Sequence, residues 1–198
     1  MPSSTLNTIA VLGSGHGGLA AAVDLTARGF DVHLHARRDD RVAQLRNANG
    51  IKGRGIQTGN YQIAKITNDI GETVSGVDLI MLVVPSVAHE YYAQGLAPLL
   101  DGTKPVFLNP GHTGGGLHFT HELRRHGYNG PIKTCETVTL TYISRLESDA
   151  DVSIYSYTTN LGFSAFPGKY KNDLFIIFLL FENKICVIFS KFFILEIL

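Results

Sequence analysis

IAVLGSGHGGLAAAVDL, residues 9–25, places a glycine cluster between a short apolar run and an alanine-rich stretch. An apolar run that ends in glycine is typical of a buried parallel strand. Small residues after the cluster favour a helix that packs closely on that strand. The glycines have the spacing G-x-G-x-x-G, which alone is weak because the chain has 21 glycines. Between a strand and a helix, however, this spacing indicates a dinucleotide-binding turn.

Each glycine of this turn has a task if a dinucleotide binds. Gly13 makes the tight turn, Gly15 leaves room for the pyrophosphate, and Gly18 lets the helix lie against the strand. The backbone N–H groups at the start of the helix then point at the phosphates, assisted by the helix dipole. The alternative is a tight turn without a ligand. The predicted cofactor contacts here are Gly13, Ser14, Gly15, His16, Gly17 and Gly18.

The end of the second predicted strand, residues 30–37, bears on which dinucleotide binds. An NAD-specific site has an Asp or Glu at this point to bind the ribose 2′-hydroxyl. This chain has Arg37 and Arg38 instead, and guanidinium groups suit a 2′-phosphate. We therefore predict cofactor contacts at both arginines and expect NADP(H) in preference to NAD(H). The alternative is a solvated arginine pair neutralised by Asp39 and Asp40.

Strand and helix patterns alternate along the first 168 residues. Strands are predicted at 8–13, 30–37, 77–85, 104–111, 131–145 and 152–160. Helices are predicted at 16–29, 39–50, 87–100 and 116–127. The glycine-rich residues 51–69 predict either a strand pair or an irregular excursion. This alternation with short links predicts an α/β fold with a doubly wound parallel sheet of the Rossmann type.

Two further polar stretches follow predicted strands, at the carboxyl edge of the sheet where ligands of this fold bind. The first consists of Pro85 and Ser86, at the end of the strand predicted at 77–85, and is expected near the nicotinamide ribose. The second is NPGHTGGG, residues 109–116. A flexible surface loop is the alternative for the second stretch. The predicted cofactor contacts at this edge are Val84, Pro85, Ser86 and Asn109, and the candidate substrate contacts are His112 and Thr113.

No metal site is expected. His118 and His121 could share a helix face, but no carboxylate-rich set completes a site around them. Cys135 and Cys186 are far apart and have no metal-ligand spacing. Glu136 lies on a predicted strand, where it either orders the site or has a structural role.

Charge and cysteine usage exclude several functional classes. The chain has 17 Lys and Arg against 17 Asp and Glu, so nucleic-acid binding is not expected as its main task. The cysteine count argues against a disulfide framework and fits a reducing compartment. The N-terminal residues MPSSTLNT show no basic region followed by an apolar core, so we expect no secretory signal and a cytoplasmic location.

The composition changes abruptly near residue 170. Residues 169–198 contain no Gly, Ala, Pro or Arg, and their longest apolar run is LFIIFLLF, residues 174–181. A bilayer span needs about 20 apolar residues, so a membrane helix is not expected. A buried core element and a truncation or gene-model artefact remain as alternatives. We predict a dinucleotide-binding domain over 1–168 and an apolar tail over 169–198 that is not a native domain.

Four stretches, in this order, resemble the N-terminal domain of the octopine/nopaline (opine) dehydrogenase family. They are VLGSGHGG, DLIMLVVPSVAHEYYAQGLAPLL, FLNPGHTGGG and CETVTLTYISR, and the resemblance covers residues 8–167. The first motif is shared with ketopantoate reductase and glycerol-3-phosphate dehydrogenase. The resemblance implies an oxidoreductase that condenses an amino acid with a 2-oxo acid and reduces the resulting imine with NAD(P)H.

The resemblance also implies a second, helical domain that supplies the catalytic histidine. The matching residues end near Pro167 and Gly168, so no catalytic residue is carried over to this chain. Hydride transfer needs the imine and nicotinamide at near-attack distance, together with a proton donor. We therefore expect cofactor binding with weak or no turnover by this chain alone. The alternatives are a non-catalytic nucleotide-binding or interaction module and a reductase of the ketopantoate reductase or glycerol-3-phosphate dehydrogenase type.

Overall fold

The computed structural model describes residues 6–159, 161–170, Leu174, Ile177 and 187–189. The strands in these residues are β1 (Thr8–Leu12), β2 (Asp31–His35), β3 (Ile51–Gly55), β4 (Gly59–Tyr61), β5 (Lys65–Thr67), β6 (Leu79–Leu82), β7 (Val106–Leu108), β8 (Thr134–Thr137), β9 (Tyr142–Ser148), β10 (Asp151–Tyr157), β11 (Leu161–Phe166) and β12 (Val187–Phe189). The helices are α1 (His16–Ala27), α2 (Asp39–Asn47), α3 (Ile70–Val74), α4 (His89–Leu96) and α5 (Gly115–Arg125).

Parallel strands in the order β5-β2-β1-β6-β7-β8 form the main part of the larger sheet. From β1 the chain adds β2 and β5 on one side of the sheet. It then crosses back and adds β6, β7 and β8 on the other side, which is the doubly wound order. Leu12, the last residue of β1, lies opposite His35 of β2 and Leu82 of β6. This register brings three strand ends to one level, between which a crevice opens. The predicted α/β fold class is confirmed.

Alternate residues of β1 face two separate cores, because successive side chains of a strand point to opposite faces. Ile9 and Val11 pack with the apolar residues of α1 and α2. Ala10 and Leu12 pack with those of α4 and α5 on the opposite face. Helices on both faces leave β1 and β6 without a solvent side, which explains why both strands are continuous apolar runs.

A second, four-stranded sheet in the order β4-β3-β10-β9 covers the outer side of α1. Every residue of α1 from Gly17 to Leu25 is therefore buried. A helix that packs on all sides needs mainly small or apolar side chains, and residues 17–23 of α1 meet this requirement. The larger sheet and α1 thus form one packed unit with the smaller sheet.

The structure corrects the predicted strand over residues 131–145. Two strands occupy this range: β8 lies in the larger sheet and β9 in the smaller one. The chain breaks between them because Thr137 and Thr141 both bond to the buried amide of Asn109. Residues 51–69, for which the glycine-rich pattern predicts either a strand pair or an irregular excursion, form β3 and β4 in the smaller sheet and β5 at one edge of the larger sheet.

The far edge of the larger sheet is antiparallel. The strand β11, which the sequence patterns did not predict, pairs antiparallel with β8, and β12 pairs parallel with β11, so both run against the other strands of this sheet. Leu174 and Ile177 are buried in the core. The predicted tail at 169–198 otherwise lies mainly outside the described residues, so the boundary at residue 168 stays a prediction. Within the part of the chain that the structure describes, no helix is long and apolar enough to cross a membrane.

Candidate cofactor site

Of the three motif glycines in the turn after β1, packing requires two and does not require the third. Gly13 has a φ of +124°, and a Cβ atom there would lie 2.3 Å from the carbonyl oxygen of Val83. A Cβ atom on Gly18 would lie 1.9 Å from the carbonyl oxygen of Gly13. A Cβ atom on Gly15 would have no atom of the described residues within 4 Å. Close packing thus accounts for Gly13 and Gly18, whereas Gly15 borders open space.

The start of α1 faces this open space with free donors. Gly15 is the N-cap, it provides no side-chain cap, and the first turn contains no acidic residue. The first N–H groups of a helix have no partner within the helix, and they carry its positive dipole end. The turn therefore offers backbone donors and a positive potential to an anion.

A cleft of about 400 Å³ extends from this turn along the ends of β6 and β7. Residues predicted from the sequence and found in its wall are Gly15, His16, Gly17, Val84, Pro85, Asn109 and His112. Residues in the wall that the sequence analysis missed are Val83, Pro110, Thr139 and Leu140. Thr139 and Leu140 lie in the break between β8 and β9, which was not predicted. Predicted residues outside this wall are Gly13, Ser14, Gly18, Arg37, Arg38, Ser86 and Thr113.

The side-chain amide of Asn109 holds the segment between β8 and β9 in place. The side chain is fully buried, and its Nδ2 donates to Thr141 Oγ1 at 2.8 Å. Its Oδ1 accepts from the backbone N–H of Thr141 at 3.0 Å. These bonds hold the β8–β9 break against the end of β7 and so shape the cleft wall. The predicted cofactor contact of Asn109 stays a prediction.

Glu136 holds the loop 110–116 in place through its carboxylate. The residue is 8% exposed, and its carboxylate accepts from the N–H groups of Gly114 at 3.2 Å and Gly116 at 2.5 Å. A carboxylate beside the N-terminus of α5 is also stabilised by the helix dipole. The N–H of His112 donates to the carbonyl of Thr137 at 3.1 Å, with a positive φ of 58°. The loop is anchored, and the exposed His112 borders the cleft, whereas Thr113 is exposed but is not one of the residues that line the cleft.

The two predicted arginines have different environments. Arg38 donates to both carboxylate oxygens of Asp40, at 2.9 and 2.8 Å, which is the alternative considered from the sequence. The exposed Arg37 lies with its guanidinium 5.8 Å from the ring centre of Tyr91. Arg41 was missed, although it lies one helical turn after Arg37. Its Nη2 donates to the carbonyl oxygen of Ser14 at 3.1 Å, which ties α2 to the glycine turn.

Two buried histidines flank the site. His35 ends β2, and its ring nitrogens lie 3.1 Å from Tyr92 Oη and 3.0 Å from the carbonyl oxygen of Asn68. Burial lowers the pKa of His35. His89 is 1% exposed, and burial, together with His118 and His112, lowers its pKa to about 4. Both imidazoles are therefore neutral near pH 7.

A cluster that could ligate a metal lies between α4 and α5. One ligand atom each of Glu90, Glu122 and His126 lies within 4.8 Å of the others. The guanidinium of Arg125 already donates to Glu122 at 2.9 Å and lies 3.8 Å from Glu90. An arginine thus supplies the positive charge at this cluster, and the prediction of no metal site stays a prediction.

Comparisons with known proteins agree with this geometry. The family model described as NAD-dependent glycerol-3-phosphate dehydrogenase N-terminus matches residues 8–123. Opine dehydrogenase of Arthrobacter sp. (strain 1C) is 32% identical over 163 residues, which are 81% of this chain and 45% of the relative. The chain thus spans less than half the length of that relative.

Solved structures show the same fold. Octopine dehydrogenase in complex with NADH and agmatine has a TM-score of 0.75 at 20% identity, with 92% of this chain and 48% of that chain covered. Yersinopine dehydrogenase with NADP+ bound has a TM-score of 0.75 at 17% identity, with 94% and 48% covered. The chain belongs to the family described as the NAD-dependent glycerol-3-phosphate dehydrogenase N-terminus, and within it the chain is an opine-dehydrogenase-like dinucleotide-binding domain.

Proposed function

We propose that this domain binds NADP(H) in preference to NAD(H), with the pyrophosphate on the glycine turn and the nicotinamide in the cleft. Gly15 carries the proposal. Packing against the described residues does not explain its missing side chain, and the space it leaves lies at the N-terminus of α1. A dinucleotide of this fold needs such an opening for its pyrophosphate.

The cleft beyond Gly15 suits the nicotinamide end. Val83, Val84, Pro85 and Leu140 give it an apolar wall, and His112 borders it at the far side. An apolar wall can hold one face of a planar ring while the other face stays open to a substrate. We propose that an imine formed from an amino acid and a 2-oxo acid meets the nicotinamide on the side of His112 and Thr113.

The preference for NADP(H) is supported by positive charge at the end of β2. Arg37 is exposed there, and no hydrogen bond occupies its guanidinium within the described ranges. The related folds do not decide the matter, because the octopine dehydrogenase structure holds NADH and the yersinopine dehydrogenase structure holds NADP+. The preference therefore has to be measured.

The deciding experiment is a calorimetric titration of the full chain with NADPH and with NADH at one ionic strength. We expect saturable binding of both, with NADPH the tighter ligand. The absence of saturable binding for either cofactor would contradict cofactor binding. Equal or tighter binding of NADH would leave binding intact and contradict only the preference.

We propose that catalytic turnover requires a second domain in addition to this one. The chain spans 45% of the opine dehydrogenase relative, and hydride transfer needs a proton donor and a second wall around the imine. We propose that a helical domain supplies both, and that this chain alone binds cofactor with weak or no activity. Cysteine usage supports a reducing, cytoplasmic location.

Two alternatives can be separated by one assay series. NADPH oxidation is followed by absorbance with an amino acid plus pyruvate, with ketopantoate, and with dihydroxyacetone phosphate. Turnover with ketopantoate or dihydroxyacetone phosphate would favour a reductase of the ketopantoate reductase or glycerol-3-phosphate dehydrogenase type. Binding with no turnover in any mixture would favour a non-catalytic binding module, or a domain that awaits its catalytic half.

A further inference from the structure

We infer that Arg41 and Asp149 form a competing pair that sets the preference between NADPH and NADH, an inference that rests on the cofactor binding proposed above. In it, the Arg41 guanidinium binds the 2′-phosphate of NADPH. The carboxylate of Asp149 holds the same guanidinium in the free protein and opposes that phosphate.

Arg41 lies where the adenosine ribose of this fold is bound. The residue is in the first turn of α2, just after the end of β2, and its Nη2 donates to Ser14 O of the glycine turn at 3.1 Å. The ribose of a dinucleotide lies between the end of the second strand and the glycine turn. The guanidinium of Arg41 joins these two structures and therefore borders the ribose position.

The environment of Arg41 favours capture of an anion. The side chain is 12% exposed, and this burial is the main cause that lowers its pKa, although an arginine stays charged at any ordinary pH. A guanidinium that has lost much of its hydration gains more from a charged hydrogen bond than an exposed one. By contrast, both donors of Arg38 that face Asp40 are already used, and that pair is neutral overall.

The ion pair between Arg41 and Asp149 is weak, and an anion can replace Asp149 in it. Asp149 lies in the turn between β9 and β10, its side chain is 68% exposed, and its Oδ1 lies 3.4 Å from Arg41 Nη1. Exposed ion pairs at such distances contribute little because water screens them. A 2′-phosphate carries more charge than one carboxylate and offers oxygens for paired hydrogen bonds, so it can displace Asp149.

The pair predicts opposite effects for its two members. Removing the Asp149 carboxylate in Asp149→Asn frees Arg41 and removes a charge that repels the phosphate, so NADPH binding tightens by roughly threefold while NADH binding changes little. Removing the guanidinium in Arg41→Ala weakens NADPH binding by roughly tenfold. NADH binding weakens less, because it loses only the support of the glycine turn.

The test is calorimetric titration of the full chain and its variants with NADPH, NADH and adenosine 2′,5′-bisphosphate. Arg46→Gln serves as the matched control, because it removes one positive charge from the same helix at its far end, where Arg46 donates to Ile66 O. We expect Arg46→Gln to leave the ratio of NADPH to NADH affinity unchanged. Arg41→Lys should restore part of that ratio.

The outcomes separate this inference from the cofactor proposal. A parallel loss of both cofactors in Arg41→Ala, with an unchanged ratio, would show that Arg41 only supports the turn and would overturn the inference. Unchanged or weaker NADPH binding in Asp149→Asn would also overturn it. Circular dichroism checks folding, and if Arg41→Ala does not fold, the Asp149→Asn and Arg41→Lys ratios decide. Failure of the unmodified chain to bind either cofactor would instead contradict the proposed function.

Discussion

Single glycines in the turn after β1 serve packing and ligand binding separately. We predict that Gly18→Ala lowers the free energy of unfolding by about 1–3 kcal/mol, because its Cβ atom would enter the backbone of Gly13 and push α1 off the strand. Gly15→Ala should leave stability nearly unchanged, since its backbone is extended and its Cβ atom meets only open space. The same variant should weaken NADPH binding at least tenfold, because the methyl group takes the pyrophosphate position.

Urea unfolding and cofactor titration on both glycine variants test this division. Each variant controls for the other, because both changes add one methyl group to the same turn. Tight NADPH binding by Gly15→Ala would contradict the role given to that glycine.

The buried His89 predicts a loss of stability in mild acid. Its folded-state pKa is about 4, below the ordinary value of 6.5, so the unfolded chain binds a proton that the folded chain refuses between these values. The contribution of neutral His89 to the free energy of unfolding is therefore fully present above pH 6.5. The free energy of unfolding falls as the pH drops towards 4. His35, whose pKa burial also lowers, acts in the same direction.

A His89→Leu variant measures the share of this residue. Neither ring nitrogen of His89 has a partner within the described residues, so leucine should not lower stability at neutral pH. Urea midpoints between neutral and mildly acidic pH should fall less steeply in His89→Leu than in the unmodified chain. The exposed His121→Gln is the control, and an unaltered slope in His89→Leu would refute the assignment.

At the scale of elements, one carboxylate holds the loop 110–116 against β8. We predict that Glu136→Ala lowers the free energy of unfolding by about 1–3 kcal/mol, because the N–H groups of Gly114 and Gly116 lose their acceptor. Hydrogen exchange should speed up at these two amides and at the start of α5. Ser164→Ala is the control, since that hydroxyl lies 3.4 Å from Glu136 and contributes a weak bond.

Element types followed from short-range patterns, whereas some element boundaries did not. The continuous apolar runs of β1 and β6, the alanine-rich run of α1 and the acidic first turn of α2 are local features that the sequence pattern can detect. The run at 131–145 looks like one strand because its β-forming residues continue past the break. The break depends on the Asn109 amide, which lies 32 residues from Thr141. A distant hydrogen bond of this kind leaves no periodic signal.

For the whole molecule, Asp24 joins the larger sheet to the smaller one through α1. Its carboxylate is fully buried, forms an ion pair with Arg28, and accepts from Gln57 Nε2 at 2.9 Å, Tyr142 Oη at 3.0 Å and Tyr157 Oη at 2.5 Å. We predict that Asp24→Ala lowers the free energy of unfolding by about 3–5 kcal/mol, because it leaves the Arg28 charge without its carboxylate in a buried site.

Denaturant unfolding measures this loss, and Tyr157→Phe provides the graded comparison. Removing one hydroxyl should cost about 1 kcal/mol, because the carboxylate keeps its other donors. A loss in Asp24→Ala no larger than that in Tyr157→Phe would count against Asp24 as the centre of the network.

The glycine spacing between a strand and a helix and the apolar runs were sufficient for the fold class, whereas the cofactor contacts predicted at the glycine turn stay predictions. The spacing and the runs are properties of neighbouring residues, and they depend on backbone sterics and side-chain periodicity within a few turns of chain. The use of each polar group was decided by tertiary packing. Arg41 reaches Ser14 across 27 residues and Asp149 across 108, and Arg38 turns to Asp40 instead. Such partners depend on strand register and on the second sheet, because only the folded chain brings these charges within hydrogen-bond reach.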